Sequence, residues 1–277
     1  MSSQVTRDNH PIDKDTKSLI SARYKRITKA VNSVFWGSSS ETAHSRYVGS
    51  YGRGTAICTS DLDVLMELPG SVYRQFSDRS GNGQSQLLQV VKSAIEDTYA
   101  TTDISGDGQV VVVNFSDKMK FEILPAFQNL DWYGNWDGTY MYPDTHMGGN
   151  WMSTNPLSEQ KAMAEKDDYD HSNGLLKDTC KHIRFVKSEK FPKSHLSGIL
   201  IDSFVYKAIG YWHWLRDGEE RSSGDGKQYE EVILDYYNNN YPYASLITPT
   251  LNAPGSGMVV AGDDWEVLGK VLKKMVE

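Results

Sequence analysis

Apolar residues along this chain recur with two different periods, and the change from one to the other divides it. Between residues 13 and 35, Leu19, Ile20, Tyr24, Ile27, Ala30, Val31 and Val34 fall at helical spacing. They predict one long helix, with Asp15 placed to cap it. The Ser-rich stretch 37–46 reads as loop. A buried strand is expected from about Asp61 to Leu68, stopped by Pro69-Gly70. After the loop "SDRSGNGQSQ" (77–86), "LLQVVKSAIEDTYA" (87–100) returns to the helical period. "QVVVVNF" and "MKFEILPAF" read as strands, joined by Ser116-Asp117-Lys118 in a hairpin. Residues 128–156 are rich in Trp, Tyr, Gly and Asn without a clear period and read as a long loop region. From about Asn155 the pattern is helical: 156–167, 172–190, 195–216, "EVILDYYNN" and a closing helix in "DDWEVLGKVLKKMVE". Residues 1–12 read as loose, and 216–227 and "TPTLNAPGSGM" read as loops. No internal repeat is visible. The order is a mixed α/β half followed by a helical half.

Composition narrows the class. The 277 residues are 39% hydrophobic and 23% charged, which supports a sizeable core. The formal net charge of −7 argues against a surface built to grip a polynucleotide. Cys58 and Cys180 are the two cysteines, and without a CxxC pair they suit a reducing compartment rather than a zinc site. The N-terminus has no apolar signal core, and no run approaches a membrane span. The expectation is a soluble, intracellular protein.

One stretch carries the chemistry: "YVGSYGRGTAICTSDLDVLMELP", 47–69. Side chains alternate along a strand, so Asp61 and Asp63 point to one side and Leu62 and Val64 to the other. Two neighbouring carboxylates repel unless a cation neutralises them, and oxygen ligands suit a hard cation such as Mg²⁺. A capped turn or a solvated strand end is the plainer reading of a bare Asp-x-Asp. Here Val64, Leu65 and Met66 continue the run, and buried charges need partners. Gly49, Gly52 and Gly54 allow close approach of the backbone, Ser50 adds a hydroxyl, and successive N–H groups in such a turn form an anion nest. No Gly-Lys-Ser/Thr follows and no GxGxxG follows a strand, so neither a Walker A loop nor a Rossmann fingerprint is present. Two-metal phosphoryl chemistry usually needs a third acid. Glu122, between Phe121 and Ile123, is the strand-borne candidate, although a wet strand edge would also hold it; Asp103, Asp107 and Asp117 fall in turn-like segments.

These residues resemble the DNA polymerase β-type nucleotidyltransferase superfamily, and within it the bacterial cGAS/DncV-like nucleotidyltransferases. Gly49-Ser50 followed by Asp61-x-Asp63 has the superfamily's spacing, and "FEILPAF" resembles its third-acid strand. "GGNWMSTNP" (148–156) is similar to the segment linking two lobes, and "LLKDTCKHIRFVK" with "SHLSG" to the helical lobe that holds the donor triphosphate. The likeness spans about residues 45–270. It implies an α+β fold: a polymerase β-like core of mixed sheet and helices plus a C-terminal helical bundle lobe. On that pattern 1–155 would be the catalytic core with an N-terminal spine helix, and 156–277 the helical lobe completing the nucleotide pocket.

The same resemblance implies a Mg²⁺-dependent synthase, with two ions for which Mn²⁺ can substitute, that joins ATP, GTP or other nucleoside triphosphates into a cyclic di- or trinucleotide signal for anti-phage defence. Asp61, Asp63 and Glu122 would be both the metal ligands and the catalytic acids. Gly49, Ser50, Asn155, Lys177, Lys181 and Ser197 would bind nucleotide, Lys181 matching the family lysine and Ser197 its phosphate-binding serine. The third acid is more often Asp than Glu. Gly198 stands where the family often has a base-stacking aromatic. Lys177, Lys181 and Arg184 share one helix face, which suits a triphosphate grip or an ordinary solvated surface. Trp132, Tyr133, Trp136, Tyr140 and Trp151 could stack a base or simply pack, and His146 and His171 read as structural or surface residues. A monomeric bacterial cytoplasmic enzyme is implied, with no nucleic-acid activator, a possible regulatory protein and an effector that binds the product. A nucleotidyltransferase acting on tRNA, protein or an antibiotic, and a nucleotide-binding pseudoenzyme, are the competing readings.

Overall fold

The computed structural model describes residues 4–220, 227–244, 247–260, 262 and 264–277. Residues 221–226 of the expected polar loop and Asp263 of the closing segment lie outside the described residues, as do residues 1–3. The chain forms two compact units. One comprises Asp13–Gly52 and Asp61–Leu157. The other comprises Met1–Ile12, Arg53–Ser60 and Ser158–Glu277, so the contact pattern groups the first twelve residues with the C-terminal part.

The first of these, the sheet unit, opens with α1 (Lys14–Phe35). Its N-cap is Asp13, whose carboxylate accepts from the Thr16 amide at 2.8 Å, and not Asp15, which lies inside the first turn. Then come β1 (Ser45–Tyr47), α2 (Gly49–Arg53), β2 (Leu62–Glu67), α3 (Gly70–Ser77), α4 (Gly83–Glu96), β3 (Asp103–Asp107), β4 (Val110–Asn114), β5 (Lys120–Leu130), β6 (Trp136–Asp144) and β7 (Asn150–Thr154). The seven strands form one mixed sheet in the order β1-β2-β5-β4-β3, with β6 paired to β5 and β7 to β6. The β2–β5 pair is parallel and all others are antiparallel. Leu65, Met66, Phe121 and Ile123 are fully buried in the two central strands, and Ile20, Ile27 and Val31 form the buried stripe of α1.

Three sequence expectations are corrected in this unit. The supposed loop 128–156 is largely β-hairpin structure. β6 is half-buried on both faces and contains Gly138 and Pro143, and β7 has no buried residue, so no two-residue period stands out; the Trp, Tyr and Thr content was the usable signal. Asp103 and Asp107 end an edge strand, β3, in which Ile104 alone is buried. The Ser-rich loop gives way to β1 at Ser45, and α3 was not anticipated.

The helical unit contains α5 (Pro156–Asp167, whose first two residues belong to the sheet unit), α6 (Leu175–Lys190), α7 (Gly198–Ala208), α8 (Tyr229–Asn240), the two-residue strands β8 (Leu251–Asn252) and β9 (Val259–Val260), and α9 (Trp265–Val276). The expected 195–216 helix ends at Ala208 because Gly210 takes φ +55°, a left-handed stop. Cys180, Ile183, Leu200, Phe204, Leu268 and Trp265 fill its core. Residues 4–12 are held rather than loose: Val5 and Ile12 are buried, the Val5 amide donates to Glu230 and the Asp8 amide to Asp178.

A charged cluster lies inside this unit. Asp202 on α7 is fully buried and accepts from Arg53 Nε at 2.8 Å, Arg184 Nη1 at 2.7 Å and Thr55 Oγ1 at 2.9 Å. Arg53 also donates to Glu159 at 2.9 Å. Burial pushes the Asp202 carboxyl up, but the two guanidinium groups outweigh it and bring it down to about 2. Removing one partner of such a network leaves charge buried without compensation. Asp202→Asn should therefore destabilise the protein by about 3–5 kcal/mol, read as a lower urea midpoint. The Asp202 contribution is whole above its ordinary pKa of 3.8 and is lost as pH falls towards 2, so an acid titration of stability should lose that step in the variant.

Candidate active site

In the sheet unit, two separate pairings assemble the acidic motif. Parallel register sets Asp63 opposite Glu122 and Leu62 opposite Phe121. Antiparallel register sets Tyr47 opposite Val64, and the Val48 amide donates to the Asp63 carbonyl at 2.9 Å. The glycine-serine turn is thereby carried back beside Asp63 although Gly49 lies fourteen positions before it in sequence. Gly49 has φ +56°, and a Cβ there would fall inside the Asp63 carboxylate. Glycine is needed at 49 for both reasons. Gly49 and Ser50 start the one-turn helix α2 and are half-buried.

The acids are adjacent without converging on one point. Among the described residues, no group of three or more His, Cys, Asp or Glu side chains is set to hold a metal as it stands. Lys120 stands in for a cation instead. Its Nζ lies 3.0 Å from Asp61 Oδ2 and 2.6 Å from Glu122 Oε1. Burial alone would lower the pKa of this amine, but the Glu122 and Asp61 carboxylates reverse that and raise it. An oxygen-only donor set already holding a cation fits a hard divalent ion. Sequence reasoning missed Lys120, yet its position two residues before Glu122 on one strand put both side chains on the same face.

In the helical unit, α6 carries Lys177 and Lys181 one turn apart, both half-buried. Lys177 pairs with Asp167 at 3.2 Å, and its stem lies against Gly54, where a Cβ would come within 3.1 Å. Arg184 does not share their solvated face. It is buried, bound to Asp202 and to the Gly198 carbonyl, and therefore braces the start of α7. Ser197 is the N-cap of α7, and its amide donates to Asp264 at 3.0 Å. Asn155 sits half-buried between β7 and α5 in the sheet unit.

The aromatic candidates divide. Trp136 and Tyr140 pack with Val48, Leu65 and Ala126, and Trp151 packs edge-on against Tyr73 and Phe127. Trp132 and Tyr133 are exposed on the β5–β6 turn. His146 and His171 each bind a neighbouring aspartate, Asp144 and Asp168, in exposed turns.

A mixed sheet with paired acids at the start of one central strand, a third acid across the parallel pair and a glycine-serine turn beside them is the arrangement of a nucleotidyltransferase. Residues 5–167 match the family described as the Second Messenger Oligonucleotide or Dinucleotide Synthetase domain. The chain belongs to that family, the bacterial cGAS/DncV-like nucleotidyltransferases. The sequence has no match among curated proteins. Among solved structures it is similar to the CdnE cyclic dinucleotide synthase of Elizabethkingia meningoseptica, solved with GTP and Apcpp, at 13% identity and TM-score 0.61, covering 91% of this chain and 89% of that one. The STING-associated CdnE c-di-GMP synthase of Capnocytophaga granulosa gives 12% identity and TM-score 0.63, covering 96% and 81%. The CdnC:HORMA complex of E. coli MS115-1 gives 12% identity and TM-score 0.52, covering 96% and 82%. At these identities the likeness is one of fold.

Gly49→Ala tests the local geometry. The positive φ alone costs an alanine about 1–2 kcal/mol. Displacing Asp63 should lower nucleotidyl transfer by about 10²-fold, since small misplacements of reacting groups have that effect. Gly70→Ala is the control: a Cβ there meets nothing within 4 Å, and the variant should keep stability and activity.

Proposed function

We propose that this protein is a cyclic oligonucleotide synthase, joining nucleoside triphosphates such as ATP and GTP into a cyclic di- or trinucleotide second messenger. The observation that carries the reading is the register of Asp63 against Glu122 with the Gly49 backbone packed on Asp63. Asp61, Asp63 and Glu122 would hold a pair of Mg²⁺ ions, or Mn²⁺ in their place, which supply charge neutralisation at the α-phosphate and acidify the attacking hydroxyl. Glu122, across the strand pair, would accept the proton of a 2′- or 3′-hydroxyl as it attacks. The Gly49 and Ser50 backbone and the Ser50 hydroxyl would hold phosphate oxygens, and pyrophosphate leaves. On the helical unit, Lys181, Lys177 and Ser197 are the proposed triphosphate contacts, and Asn155 a further nucleotide contact. Asp167 would orient the Lys177 ammonium. Catalysis here is mainly positioning and electrostatic stabilisation.

The biological setting belongs to the same proposal. The family's signalling role supports anti-phage defence in a bacterial cytoplasm, with an effector that binds the product. The HORMA-bound CdnC neighbour supports a regulatory protein partner. No helix among the described residues is long and apolar enough to cross a membrane. The net charge of −7 supports an enzyme that works without a nucleic-acid activator, and a monomer belongs to the same proposal.

The test is a product assay with all four nucleoside triphosphates and Mg²⁺ or Mn²⁺, followed by phosphatase and mass spectrometry. A phosphatase-resistant cyclic species is expected, absent from Asp61→Ala/Asp63→Ala. Glu122→Gln should fall by about 10²–10⁴-fold, the range for loss of a general base. No cyclic product would turn the reading to a macromolecular substrate or a pseudoenzyme. Duplex DNA or RNA should raise the rate by less than about tenfold, and a larger rise would overturn the activator-free reading.

A further inference from the structure

Lys120 has no role in the chemistry proposed above, yet it bridges two of the three candidate acids. Lys120 and Glu122 share a face of β5, and the parallel register of Leu62 with Phe121 brings Asp61 to the level of Lys120. The single ammonium touches both carboxylates, at 3.0 and 2.6 Å. About a third of the Lys120 side chain is exposed and half of Asp61, so the amine has a route to solvent. A lysine head is a compact point charge on a flexible stem, able to neutralise two acids and also to leave them.

We propose that Lys120 is an internal counter-ion that holds Asp61 and Glu122 in the metal-free protein and competes with the divalent ion for them. The inference rests on Asp61 and Glu122 being metal ligands. Without a cation, the Asp61 and Glu122 carboxylates would repel each other. Lys120 removes that repulsion before any metal arrives. A divalent ion entering the same oxygens must expel the ammonium, so the metal binds more weakly than the acids alone would allow. A nucleotide changes the balance, because its phosphates attract the ion and offer the displaced ammonium a new anion. Metal occupancy is thereby linked to the presence of substrate.

Mn²⁺ binding without nucleotide, read from the free-ion electron paramagnetic resonance signal, separates the possibilities. Lys120→Met and Lys120→Gln are compared with the unaltered protein and with Asp61→Ala/Asp63→Ala. Two partly exposed ion pairs are removed, so both lysine variants should bind Mn²⁺ about tenfold more tightly. Their metal-free melting temperature should fall, and Mn²⁺ should raise it by more than in the unaltered protein. A merely structural lysine would loosen the site instead. Unchanged or weaker Mn²⁺ binding in both variants overturns the counter-ion role. If the double aspartate variant binds Mn²⁺ as the unaltered protein does, the metal-ligand assignment beneath it fails as well.

Discussion

Placing one carboxylate opposite another across a β-ladder is electrostatically unfavourable, and the parallel pairing of β2 with β5 does so at Asp63 and Glu122. The candidate site follows from that constraint. The pairing is fixed by apolar residues with little freedom to slip: Leu62, Val64, Leu65 and Met66 on one strand, Phe121, Ile123 and Ala126 on the other, all buried. A one-residue slip of either strand would turn its acid to the opposite face from its partner's, so the hydrophobic pattern specifies the acid register. Repulsion is then managed locally. Lys120 neutralises Asp61 and Glu122, while Asp63 lies against the bare Cα of Gly49.

The helical unit solves a similar problem in the opposite way. Asp202 is buried with two arginines that fully engage it, where the acids of the sheet unit stay partly wet. Solvent access suits groups that must exchange a cation, and full burial suits groups that must not move. Arg53 and Thr55, which follow the glycine-serine turn in sequence, are both spent on Asp202. Arg184 is likewise removed from the surface and instead ties α6 to the first residues of α7, next to Ser197. Glu159 shares Arg53, and its own burial raises its pKa against the pull of that arginine, so the network tolerates one stressed acid at its margin.

What the sequence made legible divides along the same physical line. Strong periodicity exposed α1, β2, β4, β5 and the main helices. The Gly49-Ser50 and Asp61-x-Asp63 spacing pointed to the candidate site through its resemblance to the nucleotidyltransferases. β6 was hidden by half-burial on both faces, β7 by having no buried residue, and β3 by having one, Ile104. The caps show a finer limit. Asp13 and Asp15 are both plausible from spacing, and the Thr16 amide decides for Asp13. Buried ion pairs were the largest omission. Arg53, Arg184, Asp202 and Glu159 are spread over about 150 residues, and their meeting is a property of helix packing that no local pattern carries.

Glutamate at 122, where the family more often has aspartate, bears on whether the cluster can act as one site. The strand pairing puts the Glu122 backbone level with Asp63, while Asp61 lies one step before β2 begins. An aspartate at 122 would project its carboxylate at the level of its own Cα. Glu122 carries one more methylene, and Lys120, two residues earlier on the same face of β5, bridges it to Asp61. One nitrogen touches Asp61 and Glu122 at ion-pair distance, so their oxygens lie within a single cation's span of each other. One ammonium thus joins the acid of β5 to Asp61, while Asp63 lies against Gly49.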